Sequence, residues 1–175
     1  GLFAKKMGLP IHRFFAANNK NDTFFNYLKT GDYQPKPSIQ TIANAMDVGA
    51  PSNFDRIIDL YRSSYQSITK DITGFTYTDD EIKQTINDVY TKSGYLLDPH
   101  GACAYKALKD KKEPDETGIF LATAHPAKFK EIVEQIIDEK IDVPEKLESF
   151  TKKSKLSIKL PSDTESVKNY LIQQS

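Results

Sequence analysis

A hydroxyl, an imidazole and an ammonium fall within one short stretch, Thr123-Ala124-His125-Pro126-Ala127-Lys128-Phe129. Together they suit an anion: Thr123 offers a hydrogen bond, His125 a titratable ring and Lys128 a fixed positive charge. A second cluster, Asn18-Asn19-Lys20-Asn21-Asp22-Thr23, gathers the polar side chains of Asn19, Asn21, Asp22 and Thr23, whose amide and hydroxyl donors suit a phosphate or carboxylate. Asp98-Pro99-His100 is a third. Each also has an ordinary structural reading. Thr123 suits the start of a helix, Asn and Asp are common turn residues, and Asp98 is a good helix N-cap. Other chemistries are poorly supplied. His12, His100 and His125 lack metal-ligand spacing, such as a pair four apart with an acid between. Cys103 lies among small helical residues with no nearby base, the setting of an inert buried thiol. There is no glycine-rich phosphate loop, no Gly-x-Ser-x-Gly elbow and no kinase signature.

The elements that must position these groups are read from periodicity. Ile119-Phe120-Leu121-Ala122-Thr123 is apolar almost throughout and predicts a buried strand that delivers Thr123 to a helix begun at Pro126. In open α/β sheets ligands gather beyond the carboxyl ends of strands, where a helix N-terminus adds free N–H groups. The run from Ile11 to Ala17 predicts a second strand feeding the Asn-rich cluster, so parallel pairing would turn both clusters toward one crevice. Residues 2–7 read as the last turns of a helix, stopped by Gly8 and Pro10 and lacking an N-cap. Asp22 or Thr23 can begin a helical segment through Leu28.

Phe54, Ile57, Ile58, Tyr61, Tyr65 and Ile68 recur at three and four residues and predict a single helix that starts after Pro51-Ser52-Asn53. Thr78-Asp79-Asp80-Glu81 has the capping-box pattern ahead of Ile82, Ile86, Val89 and Tyr90, and Gly94 stops that helix. Ala102, Cys103, Ala104 and Ala107 predict a close-packed helix after Asp98, followed by a solvated loop. Phe129, Ile132, Val133, Ile136 and Ile137 supply another helix with its apolar face. Near the end, the basic run Lys152-Lys153-Ser154-Lys155 precedes a last helix with Ser162 and Glu165 spaced as a capping box. Residues 38–48 carry no decisive pattern.

Two strands cannot satisfy a sheet alone. The expected class is therefore α/β: a helix-rich, partial domain with a few parallel strands of an incomplete sheet. Residues 1–148 form its body and residues 149–175 a helical tail. A small α+β protein with a further strand is the alternative.

Composition narrows the partners. The 175 residues carry 24 Lys and Arg against 24 Asp and Glu, a formal net charge of zero, which argues against a broad phosphate-neutralising face and hence against nucleic acid. No run of about 18 apolar residues is present to span a membrane. One cysteine excludes an intramolecular disulfide and fits a reducing compartment, and the first residues lack a secretory pattern. The expected location is cytoplasmic.

Five segments carry a resemblance: Ala16-Ala17-Asn18-Asn19-Lys20-Asn21-Asp22-Thr23, Asn44-Ala45-Met46-Asp47-Val48, Pro51-Ser52-Asn53, Asp98-Pro99-His100-Gly101-Ala102 and the stretch from Thr123 to Phe129. In order and spacing the chain resembles the C-terminal part of threonine synthases, from Gly1 to about Leu147. The resemblance implies a fold-type II enzyme that uses pyridoxal 5'-phosphate to convert O-phosphohomoserine and water to threonine and phosphate. It also implies that the Schiff-base lysine and the loop cradling the cofactor phosphate belong to a preceding, N-terminal part. This chain alone would then be inactive and bind the cofactor poorly, with no catalytic residue of its own. By resemblance, Thr123 lies beside the pyridine nitrogen and Asp98 near the ring, as cofactor-binding residues. Asn19, Asn21, Asp22, Thr23, His125 and Lys128 would line the side of a small anionic amino-acid substrate. A related phospho-lyase and a non-catalytic anion-binding domain are the alternatives.

Overall fold

The computed structural model describes residues 1–154 and 156–173 and divides into two compact units, Gly1–Asp142 and Val143–Ser175. In the first unit, helix α1 (Leu2–Lys6) leads to strand β1 (Phe14–Asn18), helices α2 (Thr23–Thr30), α3 (Phe54–Leu60) and α4 (Tyr65–Asp71), and strand β2 (Ile72–Thr76). Helices α5 (Asp79–Ser93), α6 (Pro99–Lys111) and α7 (Lys130–Ile137) follow. Short 3₁₀ turns cover Asn44–Met46 and Pro126–Phe129.

β1 and β2 pair in parallel, with Phe14 opposite Ile72 and Asn18 opposite Thr76. Because side chains alternate along a strand, this narrow sheet divides the core. Phe15, Ala17 and Phe75 join a cluster with Ile82, Ile86, Leu97, Ala102 and Cys103 on the α5 and α6 side. Phe14, Ala16 and Ile72 join the opposite cluster, where Tyr27, Phe54, Tyr61 and Ile68 come from α2, α3 and α4. The helix-rich α/β class with parallel strands agrees with the sequence reading, but the partner of β1 is Ile72–Thr76 and not the expected strand at residues 119–123.

Local chemistry sets the helix limits. At α5, Thr78 Oγ1 accepts from the Glu81 amide at 3.3 Å while Glu81 Oε2 accepts from the Thr78 amide at 2.8 Å. Gly94 ends the helix at φ 69°, where glycine carries no Cβ penalty. α6 begins with Pro99 in its first turn behind the Asp98 cap.

Three expectations change. The helix predicted across residues 54–68 is two, because Arg62 and Ser63 take left-handed φ values of 50° and 59° and the chain restarts at the Ser64 cap. α4 then runs straight into β2, so the break lets the chain turn toward the sheet while Tyr61 and Ile68 both stay buried. Strand β2, Ile-Thr-Gly-Phe-Thr, forms where the sequence carries no strand pattern. The strand predicted at residues 119–123 does not form among the described residues. It has no ladder partner there; Ile119 is 81% and Leu121 75% exposed, while Phe120 alone turns inward, edge-on to Tyr105 at 5.9 Å.

The second unit contains α8 (Glu145–Thr151) and α9 (Thr164–Gln173). The α9 cap lies one residue later than the Ser162–Glu165 spacing predicts: Asp163 Oδ1 accepts from the Ser166 amide at 2.8 Å. Lys155 of the basic run lies outside the described residues.

Residues 31–53 cross from α2 to α3 with one 3₁₀ turn as their only regular structure. Gly49 is pressed against this crossing, its carbonyl accepting from the Lys36 amide at 3.2 Å. A Cβ on Gly49 would lie 1.7 Å from the Lys36 carbonyl oxygen, a backbone atom with little freedom to retreat. Gly49→Ala is expected to cost about 2 kcal/mol or more in chemical denaturation, at the upper part of the overpacking range. Stability equal to the parent would show that the crossing shifts freely.

Candidate functional site

The Asn-rich cluster leaves β1 and becomes a set of buried clamps. Asn19 is fully buried, and its Nδ2 donates to Thr41 Oγ1 at 2.8 Å, the Ala43 carbonyl at 3.2 Å and Asp47 Oδ1 at 2.8 Å. Its Oδ1 accepts from the Asn21 amide at 2.8 Å and from Asn21 Nδ2 at 3.1 Å. Asn21 in turn grips the backbone of Ile39, accepting from its amide at 2.8 Å and donating to its carbonyl at 2.9 Å. Asp47 closes the set: Oδ1 also accepts from Asn21 Nδ2 at 3.0 Å and Thr41 Oγ1 at 2.8 Å, and Oδ2 accepts from the Thr41 amide at 2.9 Å. Thr23 donates to the Gly49 carbonyl at 2.7 Å, and Asp22 Oδ1 accepts from Asn26 Nδ2 at 2.7 Å. These residues are brought together, but their groups are engaged with one another and with the crossing.

The network stands at the edge of a cleft of about 520 Å³ along β1, whose walls include Phe14, Asn18, Asn21, Phe24, Met46 and Phe54. The aromatic walls are themselves packed: Phe54 lies edge-on to Tyr27 at 4.8 Å and stacks on Tyr33 at 3.7 Å.

Asp98 is buried at the start of α6. Its Oδ1 accepts from the amides of His100 at 2.9 Å and Gly101 at 3.3 Å, and lies 2.9 Å from His100 Nδ1. Burial disfavours its charge, yet the His100 ring and the two amides outweigh that and hold the carboxyl below the usual carboxylate range. His100 Nε2 accepts from the Ala45 amide at 3.1 Å, and its ring meets Phe129 at 4.9 Å. Cys103, one turn on, is pushed up to about 12 chiefly by burial, as an inert thiol should be.

Thr123, His125 and Lys128 stand apart from the clamps and are exposed. His125 Nδ1 accepts from the Ala127 amide at 3.1 Å, capping the 3₁₀ turn and leaving Nε2 outward. Among the described residues, no hydrogen bond or ion pair joins this turn to the Asn19 network; the packing of Phe129 on His100 is the link.

Thr41, Asp47, Gly49 and His100 do more here than composition indicated. Asp47 had a faint signal, a charge inside Asn44-Ala45-Met46-Asp47-Val48, but its partners are 6 to 28 residues away.

A family model described as pyridoxal-phosphate dependent enzyme matches residues 2–122. The chain belongs to that family. A second, described as threonine synthase, C-terminal, matches residues 101–171. Threonine synthase of Haemophilus influenzae is 43% identical over 173 residues, covering 99% of this chain and 40% of that protein. Its Escherichia coli counterpart is 44% identical over 163 residues, 93% of this chain and 38% of that protein. The crystal structure of threonine synthase from Escherichia coli superposes with a TM-score of 0.91 at 40% identity, over 100% of this chain and 40% of that one. A PLP-bound threonine synthase from Brucella melitensis gives 0.85 at 28% identity, over 99% of this chain and 44% of that one. The chain thus spans about 40% of the length of the curated relatives it matches, and the resemblance read from its motifs is borne out.

Two outcomes follow for the buried groups. Asp47→Ala strands the Thr41 amide and hydroxyl, while Asn19 and Asn21 keep other acceptors, so urea denaturation should show a loss of about 2–3 kcal/mol; a loss below about 0.5 kcal/mol would mean that water replaces the carboxylate without cost. Asp98 is more acidic folded than its unfolded value of about 3.9, so its stabilisation is fully present above that pH and is lost as pH falls through the lower folded value. The stability advantage over Asp98→Asn should therefore hold down to about pH 5 and narrow as the pH falls further, through about 4 and below. A constant gap would contradict the ionised cap.

Proposed function

We propose that the protein carrying this chain is a threonine synthase, which converts O-phosphohomoserine and water to threonine and phosphate. The observation that carries the reading is that the likeness to threonine synthases runs along the whole chain, in sequence and in fold alike. On this reading the covalent anchor and the phosphate cradle lie in the part of the relatives' length that the chain does not span, and that N-terminal part is its partner. The enzyme would work in the cytoplasm, apart from membranes and nucleic acid.

Pyridoxal phosphate, when bound, supplies an electron sink for charge developing on the substrate carbons. The side chains here fit it selectively. The Thr123 hydroxyl is exposed and has no partner among the described residues, so it is free to meet the pyridine nitrogen. A hydroxyl there leaves the ring a more moderate sink than a carboxylate would. Asp98 has its Oδ1 occupied by α6 and His100, so near the ring it would serve as support, acting through the backbone it fixes. His125 Nε2 and the Lys128 ammonium, both outward, are the free groups for the substrate phosphate. Asn19, Asn21, Asp22 and Thr23 line the substrate side chiefly by holding the wall against which it rests.

Phosphate release from O-phosphohomoserine, with threonine as the product, tests the activity in the full-length protein. A keto-acid product would indicate the phospho-lyase, and no turnover the non-catalytic domain. The 175-residue chain alone, given cofactor and substrate, should release no phosphate. In the full-length protein Lys128→Ala should raise KM about tenfold with a smaller change in kcat, the mark of lost substrate binding. Thr123→Ala should shift the bound cofactor's absorbance and slow turnover; an unchanged spectrum with full activity would remove Thr123 from the site.

A further inference from the structure

We propose that His100 is a positioning residue for this site: its neutral Nδ1–H tautomer connects the Asp98 carboxylate to the Ala45 amide and so holds the turn that walls the cleft. The inference rests on the reading of the cleft as the substrate wall, and its structural half stands independently.

The partners of His100 leave one arrangement of its protons. Asp98, ionised, is an acceptor only, so Nδ1 at 2.9 Å must carry the hydrogen. The Ala45 backbone N–H is a donor only, so Nε2 at 3.1 Å must be bare. An imidazolium would point N–H at N–H, and the opposite tautomer would also set a lone pair against the carboxylate. The ring is 8% exposed, and Phe129 covers it at 4.9 Å, so water is poorly placed to replace either partner.

What the ring grips explains why this matters to the cleft. Ala45 sits in the 3₁₀ turn Asn44–Met46, and Ala45 and Met46 both line the cleft. That turn is held from two directions. Asn19 takes the Ala43 carbonyl and Asp47 on the β1 side, while His100 takes the Ala45 amide on the α6 side. Removing the β1 clamp disturbs the buried network, whereas removing the α6 clamp frees the turn with that network intact. His100 touches none of the groups assigned to cofactor or substrate except through Asp98. It is therefore a positioning residue, and it ties α6, the Asn44–Met46 turn and the Pro126–Phe129 turn to one ring.

The full-length protein tests this in three measurements. Long-range ¹H–¹⁵N correlations on histidine-labelled protein should show His100 as the Nδ1–H tautomer near neutral pH; the Nε2–H form or an imidazolium overturns the proposal without recourse to a variant. His100→Asn retains a donor for Asp98 but is too short to reach Ala45, whereas His100→Gln places an acceptor near the position of Nε2. Amide exchange in a peptide covering residues 44–47 should quicken about tenfold in His100→Asn, the worth of one hydrogen bond, and recover in His100→Gln. Equal exchange in all three proteins overturns it. KM for O-phosphohomoserine should follow the same order, raised in Asn and restored in Gln; a raised exchange with unchanged KM overturns the positioning role. If the parent protein releases no phosphate at all, the activity reading falls, while the tautomer and the exchange still decide the clamp.

Discussion

The carboxylate of Asp47 accepts four hydrogen bonds, from Asn19, Asn21 and the hydroxyl and amide of Thr41. It is the knot by which an otherwise irregular crossing is hung from the end of β1. A connection of this length without its own helix or strand has few internal backbone bonds, and its entropy favours many conformations. Side chains from the strand end must therefore satisfy it. Asn19 and Asn21 suit this because each amide offers both donor and acceptor to a backbone running alongside. Inside the protein such a network is strong when complete and costly when broken, so it selects one path for the crossing. The cleft wall at Met46, the glycine contact at Gly49 and the reach of Ala45 to His100 all depend on that path.

The two-stranded sheet meets a related constraint. Its pleat gives each helical layer its own apolar surface, Phe15 and Phe75 to one side and Phe14 and Ile72 to the other. The helices bury that surface, and α4, α5 and α6 are fixed at their starts by the Ser64, Thr78 and Asp98 caps. A sheet this narrow contributes few ladder bonds, so helix packing on both faces has to hold the strands. The extended stretch around Ile119 shows the converse case. It has the composition of a central strand and, among the described residues, no neighbour to pair with, so only Phe120 is drawn inward.

Features governed by nearest neighbours in sequence were legible. The Thr78 capping box, the Gly94 stop, Pro99 behind Asp98 and the Asn-rich end of β1 each depend on residues within one turn. The division of the long helix was hidden because apolar spacing continues across Arg62 and Ser63 while the backbone reverses its twist there. β2 was hidden because five residues containing a glycine give too short an alternation to separate from a loop. At the site, residue types announced polarity but not its use. Asn19 reads equally as a ligand group or a clamp until Thr41 and Asp47 are seen against it. His100 reads as a lone histidine until its two nitrogens are seen between a carboxylate and an amide.

Burial then separates two kinds of polar residue that composition alone treats alike. Asn19, Asn21, Thr23, Asp98 and His100 are enclosed, and each is engaged by a defined partner, which makes them rigid and leaves little capacity for a ligand. Thr123, the outer nitrogen of His125 and Lys128 are exposed and, among the described residues, uncommitted, on or just before a turn coupled to the interior through the contact of Phe129 with His100. A site needs both kinds, since a group that must exchange partners during a reaction cannot also hold the fold, and a free group is useful only where a fixed one sets its place. The neutral overall charge follows the same division. A balanced chain exerts little long-range pull on an ion, and the Lys128 ammonium is an exposed local charge outside the clamped interior.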